Sequence, residues 1–379
     1  MFTRLILRNW RNFSNVDVDL NGRMFLVGPN ASGKSNFLDV FRFLSDIAKI
    51  GGGFQKAVHD RGGVSTVRSL SARRPSEIMI DVFVTISHVS WRYTVAFTQD
   101  NNRNPKLTKE DIWRDSELLH SRPTAEDASD PLRMTQTLLE QITTNKDFRE
   151  VADFFASIQY RHIVPQLVRE PGRSVGRIAD PFGGDFLEQL TKVSRNTRES
   201  RLKFILSALQ TALPQLKSLE FYQDSRNGNP HLRGLFEHWR PAAGWQTEQH
   251  FSDGSLRLLG LLWSLLEGQS LLLLEEPELS LHASIVRYIP QILARAQRRR
   301  PRQILVSTHS RELLSDPDIR ADEVLMLHPG KEGTAVGSGK DDRELAVLLE
   351  SGAVVADAVI PKTAPQHAEQ LAFSLFGEN

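Results

Sequence analysis

The stretch Gly28-Pro29-Asn30-Ala31-Ser32-Gly33-Lys34-Ser35 meets the pattern G-x-x-x-x-G-K-[ST] at every fixed position. The pattern has a chemical reason. Glycines let backbone N–H groups wrap phosphate oxygens, Lys34 can reach the β and γ oxygens of a nucleoside triphosphate, and the Ser35 hydroxyl can meet Mg²⁺. A helix that opens there adds its partial positive charge. Far downstream, Leu271-Leu272-Leu273-Leu274-Glu275-Glu276-Pro277-Glu278 is an apolar run ending in adjacent carboxylates. A hard cation takes oxygen ligands, and water attacking a γ-phosphate needs a polarising group, so two acids at a strand end can divide those roles. Glu275 is assigned to the ion and Glu276 to the water.

Each of these residues needs an element to hold it. The apolar Met24 to Val27 reads as a strand leading into the glycine loop. Lys34 to Ile50 then places Phe37, Leu38, Phe41, Leu44, Ile47 and Ala48 on one face at helical spacing. Strand, loop and helix is the context that the phosphate motif requires. Ser252-Asp253-Gly254-Ser255 precedes an apolar helix and has the composition of a helix cap. The final third alternates helix 255–266, strand 271–274, helix 282–298, strand 303–307, short helix 311–314 and strand 323–327, the rhythm of a parallel α/β sheet. Ahead of it, 2–7 and 16–20 alternate like strands, and 78–87 with 91–98 reads as a hairpin, with a further strand at 107–113. Residues 51–76 read as a mobile loop, 132–159 as one or two helices, 169–184 as a loop and 185–213 as a helix stopped by Pro214.

Composition excludes several classes. The 379 residues carry 47 Lys plus Arg against 46 Asp plus Glu, so any nucleic-acid surface must be local. The densest basic runs are Arg298 to Arg302 and Arg68 to Arg74. There is no cysteine, hence no disulfide, thiolate metal site or thiol nucleophile, which suits a reducing cytoplasm. The N-terminus lacks the apolar core of a signal peptide, and Arg257, Glu267 and Gln269 interrupt the longest apolar stretch, so no membrane span is expected.

Together these motifs resemble those of ABC-type ATPases of the RecF, SMC and OLD (overcoming lysogenization defect) grouping. Ser252-Asp253-Gly254-Ser255-Leu256-Arg257 is similar to the ABC signature in its S-D-G-[ST]-x-R form, Glu278 to His282 resembles the D-loop, and Ser307-Thr308-His309-Ser310 resembles the switch-histidine segment. Leu7-Arg8-Asn9-Trp10-Arg11-Asn12-Phe13 resembles the grouping's opening strand motif. The resemblance implies that ATP and Mg²⁺ bind at 28–35, that Ser252, Asp253 and Gly254 complete the site of the opposite subunit in a homodimer, and that His309 points toward the γ-phosphate. Glu275 stands where the aspartate is usual. Gln159 and Gln166 are the candidates for the Q-loop glutamine.

The implied fold is an α/β P-loop NTPase, an ABC ATPase head with a β-rich N-terminal lobe, a helical insertion and a mostly parallel C-terminal lobe. The expected boundaries are 1–115, 116–213, 214–339 and an extension at 340–379. The implied function is an ATPase that couples nucleotide state to nucleic-acid sensing and to a separate effector, a nuclease or toxin, as such ATPases do in repair and in defence against phage. A repair or recombination mediator is the alternative. A transporter subunit fits poorly, and no heptad-repeat arm is present. Little chain follows Leu327, so the TOPRIM nuclease domain of OLD proteins is not expected. Asp341, Asp342 and Glu344 read as the acidic start of a helix.

Overall fold

The computed structural model describes residues 1–74, 76–170, 180–226, 228–240 and 244–364. The chain divides into two compact units. One comprises Met1–Ile158, Ser270–Leu273 and Arg302 onward, and the other Gln159–Gln269 and Leu274–Pro301. No helix among the described residues is long and apolar enough to cross a membrane.

The first unit holds two sheets. Strands β1 (Phe2–Trp10), β2 (Phe13–Asp19), β4 (Ile78–Ile86), β5 (Val89–Gln99), β6 (Pro105–Arg114) and β7 (Glu117–Arg122) form an antiparallel sheet in the order β2-β1-β4-β5-β6-β7. Val16 and Val18 are buried while Asp17 and Asp19 are exposed, the period of two that a half-buried strand imposes. Strand β3 (Arg23–Val27) differs, because all five of its residues are buried. It lies between β13 (Ile304–Thr308) and β14 (Val324–Gly330) and runs parallel to both. A strand covered on both faces has no alternation to show. β12 (Leu272–Glu275) flanks β13, and β15 (Gly333–Ser338) returns antiparallel on β14.

Helix Lys34–Ala48 buries the expected Phe37, Leu38, Phe41, Leu44 and Ile47, and Val40 and Phe43 as well. The face is broader than the sequence indicates because aromatic rings of the antiparallel sheet close over it. Phe2 meets Phe41 edge-on at 4.9 Å, Trp10 lies 5.2 Å from Phe43, and Phe97 stacks on Phe43 at 5.6 Å.

Several expectations are corrected. Residues 51–74 are not a loose loop. They form helices Phe54–His59 and Val64–Val67, which bury Phe54, Ala57, Val58, Val64 and Val67. Arg61 there bonds Asp39 at 2.8 Å and Asp46 at 2.9 Å, so its charge is part of the packing. The polar segment beginning at Ser116 carries β7, and the sheet therefore runs past the boundary expected at 115. Its Arg122 is buried and bridges Glu110 at 3.4 Å and Asp127 at 2.8 Å. Polar composition there marks an internal ion network. In place of long helices across 132–159 there are 3₁₀ turns at Pro131–Thr135 and Asn145–Phe148, and one helix, Arg149–Ala156. Residues 116–158 thus belong with the first unit.

The second unit begins with β8 (Gln159–Arg161). Helices Phe186–Lys192 and Arg195–Ala212 replace the single one expected, split where Ser194 caps the second. Phe186, Leu190, Leu202, Ile205, Leu209, Leu259 and Trp263 pack into one core. Strands β9 (Leu216–Gln223), β10 (Pro230–Phe236) and β11 (Trp245–Thr247) form an antiparallel sheet that sequence reasoning missed. Leu216 and Leu219 are both buried, a spacing of three, and the register shifts between Leu235 and Phe236. A bulge at Lys217 turns both leucines inward and disguises the strand. Helix Asp253–Leu266 agrees with expectation, whereas 282–298 breaks into Ala283–Val286 and Ile289–Arg299. Most of the loop expected at 169–184 lies outside the described residues.

Part of the basic run 298–302 serves packing, although Arg298, Arg299 and Arg300 stay exposed. Arg299 lies over the Phe204 ring at 5.4 Å, Arg300 donates to the Leu266 carbonyl at 2.9 Å, and Arg302, buried, donates to Ser270 at 3.0 Å. Asp342 caps helix Arg343–Glu350, as its acidic start implied.

Candidate functional site

In the first unit, β3 delivers the chain into the loop 28–33 and Lys34 opens the helix. A Cβ on Gly28 would stand 2.6 Å from Ser32 Oγ and 2.9 Å from the Leu327 carbonyl, so only glycine fits. Gly33 has φ +97° and a Cβ there would meet the Asn12 amide. Asn12, in the turn between β1 and β2, holds the loop from behind. Its Nδ2 donates to the Ser32 carbonyl and to Thr334 Oγ1, each at 2.8 Å, and its Oδ1 accepts from Asn36 at 2.7 Å.

Lys34 Nζ folds over the loop and donates to the carbonyls of Gly28 at 2.8 Å and Pro29 at 3.1 Å. The helix has no side-chain cap and no acid in its first turn, so nothing of its own neutralises its positive end. The Ser32 hydroxyl is buried and makes no hydrogen bond. Asn30, Ala31 and Ser35 are exposed. A cradle closed to any Cβ, with an uncapped helix start and an ammonium over it, suits a phosphate chain.

His309 belongs to the same unit and the same sheet edge. Thr308, the residue before it, pairs with Val27, the residue before the glycine loop. His309 is exposed, and the turn around it is fixed because Ser310 N–H donates to Thr308 Oγ1 at 3.0 Å and Ser310 Oγ accepts from Leu313 N–H at 3.2 Å.

The remaining expected residues lie in the second unit. Ser252 caps helix Asp253–Leu266, its Oγ accepting from Ser255 N–H at 3.2 Å, and it is exposed. Arg169 clamps this segment, donating to Asp253 Oδ1 and to the Phe251 carbonyl, both at 2.6 Å. A Cβ on Gly254 would lie 2.6 Å from the Ser280 carbonyl oxygen, which brings the segment 278–282 against the helix start. Arg257, one turn on, has its guanidinium pushed down by burial, opposed by Asp253, Glu276 and Glu278.

Glu275 closes β12, and Glu276 takes the left-handed conformation at φ +44°. The chain thus turns sharply between the two acids, a backbone that a non-glycine residue adopts at a cost. Ser280 is left-handed as well, at φ +61°.

Two residues that the sequence reading did not single out contact Glu275. The Tyr160 hydroxyl donates to its Oε2 in a short hydrogen bond, and His162 Nδ1 is 3.1 Å from its carbonyl oxygen. The signal available was slight, since Tyr160 lies in a three-residue strand and His162 just past its end. Gln159 lies against Gly268, and Gln166 is exposed in helix Pro165–Arg169.

The family model described as "AAA domain, putative AbiEii toxin, Type IV TA system" matches residues 23–315, most of the chain and every site residue expected from the sequence. A search of curated protein sequences gives no significant match. Among solved structures, the fold is similar to the SMC head bound to the C-terminal winged-helix domain of ScpA, with TM-score 0.52 and 12% identity, covering 89% of this chain and 97% of that one. It is likewise similar to an Smc head domain with an extended coiled coil bound to the C-terminal domain of ScpA from Pyrococcus furiosus, with TM-score 0.50 and 11% identity, covering 93% and 99%. The chain belongs to this AAA-domain family, and it shares the fold of SMC head domains.

Proposed function

We propose that the protein binds ATP with Mg²⁺ and hydrolyses it in a head-to-tail homodimer, and that its nucleotide state governs a separate effector. The observation that carries this reading is the loop 28–35: the Lys34 ammonium rests on the Gly28 and Pro29 carbonyls, over a helix end without a cap. Those carbonyl bonds are ones a phosphate would compete for. In this reading Gly28, Pro29, Asn30, Ala31, Ser32 and Gly33 line the phosphates with main-chain groups, and Lys34 swings to the β and γ oxygens.

Ser35 and Glu275 offer the oxygen donors that Mg²⁺ favours, and they would hold it; the ion supplies charge neutralisation of the transferring phosphoryl group. Glu276 orients the attacking water, and its turn away from Glu275 separates the two carboxylates' tasks. His309 stands at the sheet edge beside the loop and contacts the γ-phosphate.

Ser252, Asp253 and Gly254 serve the partner copy's nucleotide. Support comes from the exposure of Ser252 at the head of a helix whose own first turn is otherwise locked by Arg169 and Ser280. Two copies that bind each other only around ATP differ in free energy between open and closed states, and a third component binding them unequally reads that difference. The relatives named above, a toxin–antitoxin family and heads bound to ScpA, favour an output through another protein. Nucleic-acid sensing and a role in defence against phage complete the proposal, and a repair mediator remains its alternative. Duplex binding that strengthens with ATP and weakens steeply with salt is expected.

The deciding experiment compares Lys34→Ala with Glu276→Gln. The first should lose nucleotide affinity, and the second should retain ATP while turnover falls ~100-fold or more. Equal turnover in Glu276→Gln and the parent removes Glu276 from the chemistry. Native pull-down with identification of the bound protein tests the effector.

A further inference from the structure

Strand β8 and the residue just after it grip Glu275 at two atoms. Tyr160 reaches the carboxylate and His162 the main-chain carbonyl. A carbonyl can only accept, so His162 carries its proton on Nδ1 in this arrangement. These two rings thus lie on the side of Glu275. Arg161 points to the other, toward Glu267 at 3.3 Å and Gln189 at 3.5 Å.

The rings are themselves held. Phe182 stands edge-on to Tyr160 at 6.5 Å and to His162 at 6.1 Å, and His162 and Val164 N–H groups donate to the carbonyls of Pro181 and Phe182, each at 2.9 Å. Tyr160 therefore approaches Glu275 from a fixed platform rather than from a mobile loop.

We propose that Tyr160 is a positioning residue for the cation site: its hydroxyl fixes the rotamer of Glu275, so that the divalent ion meets a carboxylate of set orientation. The inference rests on the reading of Glu275 as a metal ligand. A hydroxyl donating to an ionised carboxylate makes a charge-assisted bond, stronger and more directional than a neutral one. Groups that orient a metal's ligands in this way control affinity by roughly 10- to 100-fold. Tyr160 thus supports the acid from within the second unit.

Tyr160→Phe keeps the ring and its edge contact with Phe182 and removes only the donor. Two readouts separate positioning from packing. Mn²⁺ binding in the presence of a non-hydrolysable ATP analogue, followed by electron paramagnetic resonance, should weaken ~10-fold or more. The Mg²⁺ concentration for half-maximal hydrolysis should rise in parallel, with most of the rate recovered at saturating Mg²⁺. Nucleotide binding in EDTA and the unfolding temperature without metal should stay at parental values. Unchanged Mn²⁺ affinity, or a rate lowered equally at every Mg²⁺ concentration, overturns the proposal. Glu275→Gln run alongside distinguishes the two failures. If it shifts Mn²⁺ affinity while Tyr160→Phe does not, Tyr160 alone is dismissed. If it also leaves affinity unchanged, the metal assignment of Glu275 falls and the role of Tyr160 falls with it.

Discussion

The α-carbon of Gly254 approaches the Ser280 carbonyl so closely that a Cβ would sit 2.6 Å from the oxygen. Ser280 is held left-handed, and its carbonyl belongs to backbone that follows the two acids after a short turn. A methyl group at 254 must therefore move either the start of helix Asp253–Leu266 or the segment behind Glu276. Gly254→Ala is expected to retain ATP binding and to lower kcat by ~10- to 100-fold, the scale of a displacement near 1 Å. Gly22→Ala, where a Cβ meets nothing within 4 Å, is the matched control and should leave turnover unchanged. Steady-state hydrolysis of both variants checks this, and parental kcat in Gly254→Ala refutes it.

How much of this was legible beforehand follows from which residues signal themselves. The glycine loop, the acids at the end of β12 and the cap at Ser252 are defined by residue type at fixed spacing, and the structure places each at the element end expected of it. Asn12 and Tyr160 could not be found in that way, because an amide in a turn and a hydroxyl in a three-residue strand acquire meaning only from what lies across from them. The same limit hid β7 and β9. Arg122 looks solvated until Glu110 and Asp127 are seen around it, and Leu216 with Leu219 looks helical until the bulge at Lys217 is seen.

Exposed Ser252 at the head of an otherwise locked helix leads to a complementation test. Ser252→Arg should bind ATP and fail to hydrolyse it, because the bulk and charge enter the partner's site. Lys34→Ala spoils the other half. In an equal mixture, half the dimers are mixed and each has one intact composite site, so at most about a quarter of the parental rate returns. No recovery over either variant alone, or full hydrolysis by Ser252→Arg as a monomer, contradicts the sandwich.

Buried Glu110 accepts from the Tyr93 hydroxyl at 3.0 Å, from Leu138 N–H at 2.9 Å and from Arg122 at 3.4 Å. Burial outweighs these bonds and raises its carboxyl from 4.5 to about 7. Between those values the folded protein keeps a proton that the unfolded chain has lost. The resulting stability is complete below pH 4.5 and is lost as pH rises through about 7. Glu110→Gln cannot titrate. Denaturant melts of both proteins from pH 5 to 8 should show the parent falling relative to the variant by on the order of 3 kcal/mol. Parallel pH profiles would show that Glu110 ionises as an ordinary carboxyl.

Asn12 ties three parts of the first unit to the back of the phosphate loop: Ser32 in the loop, Asn36 in the first turn of the helix, and Thr334 on β15. Its donor end faces a carbonyl and a hydroxyl, and its acceptor end faces an amide. Asn12→Asp has nearly the same shape but places an anionic acceptor against the Ser32 carbonyl. The loss of a donor to a part-buried carbonyl costs about 1–3 kcal/mol, and the added charge lies behind the site where phosphate charge gathers. The expected result is a KM for ATP raised ~10-fold or more, beyond what the lost stability explains. Thr334→Val removes one of the same hydrogen bonds without adding charge, and should lower the unfolding temperature slightly while KM stays near the parental value. If the two variants shift KM equally, Asn12 acts only as packing, and the loop's affinity for phosphate does not depend on what holds it from behind.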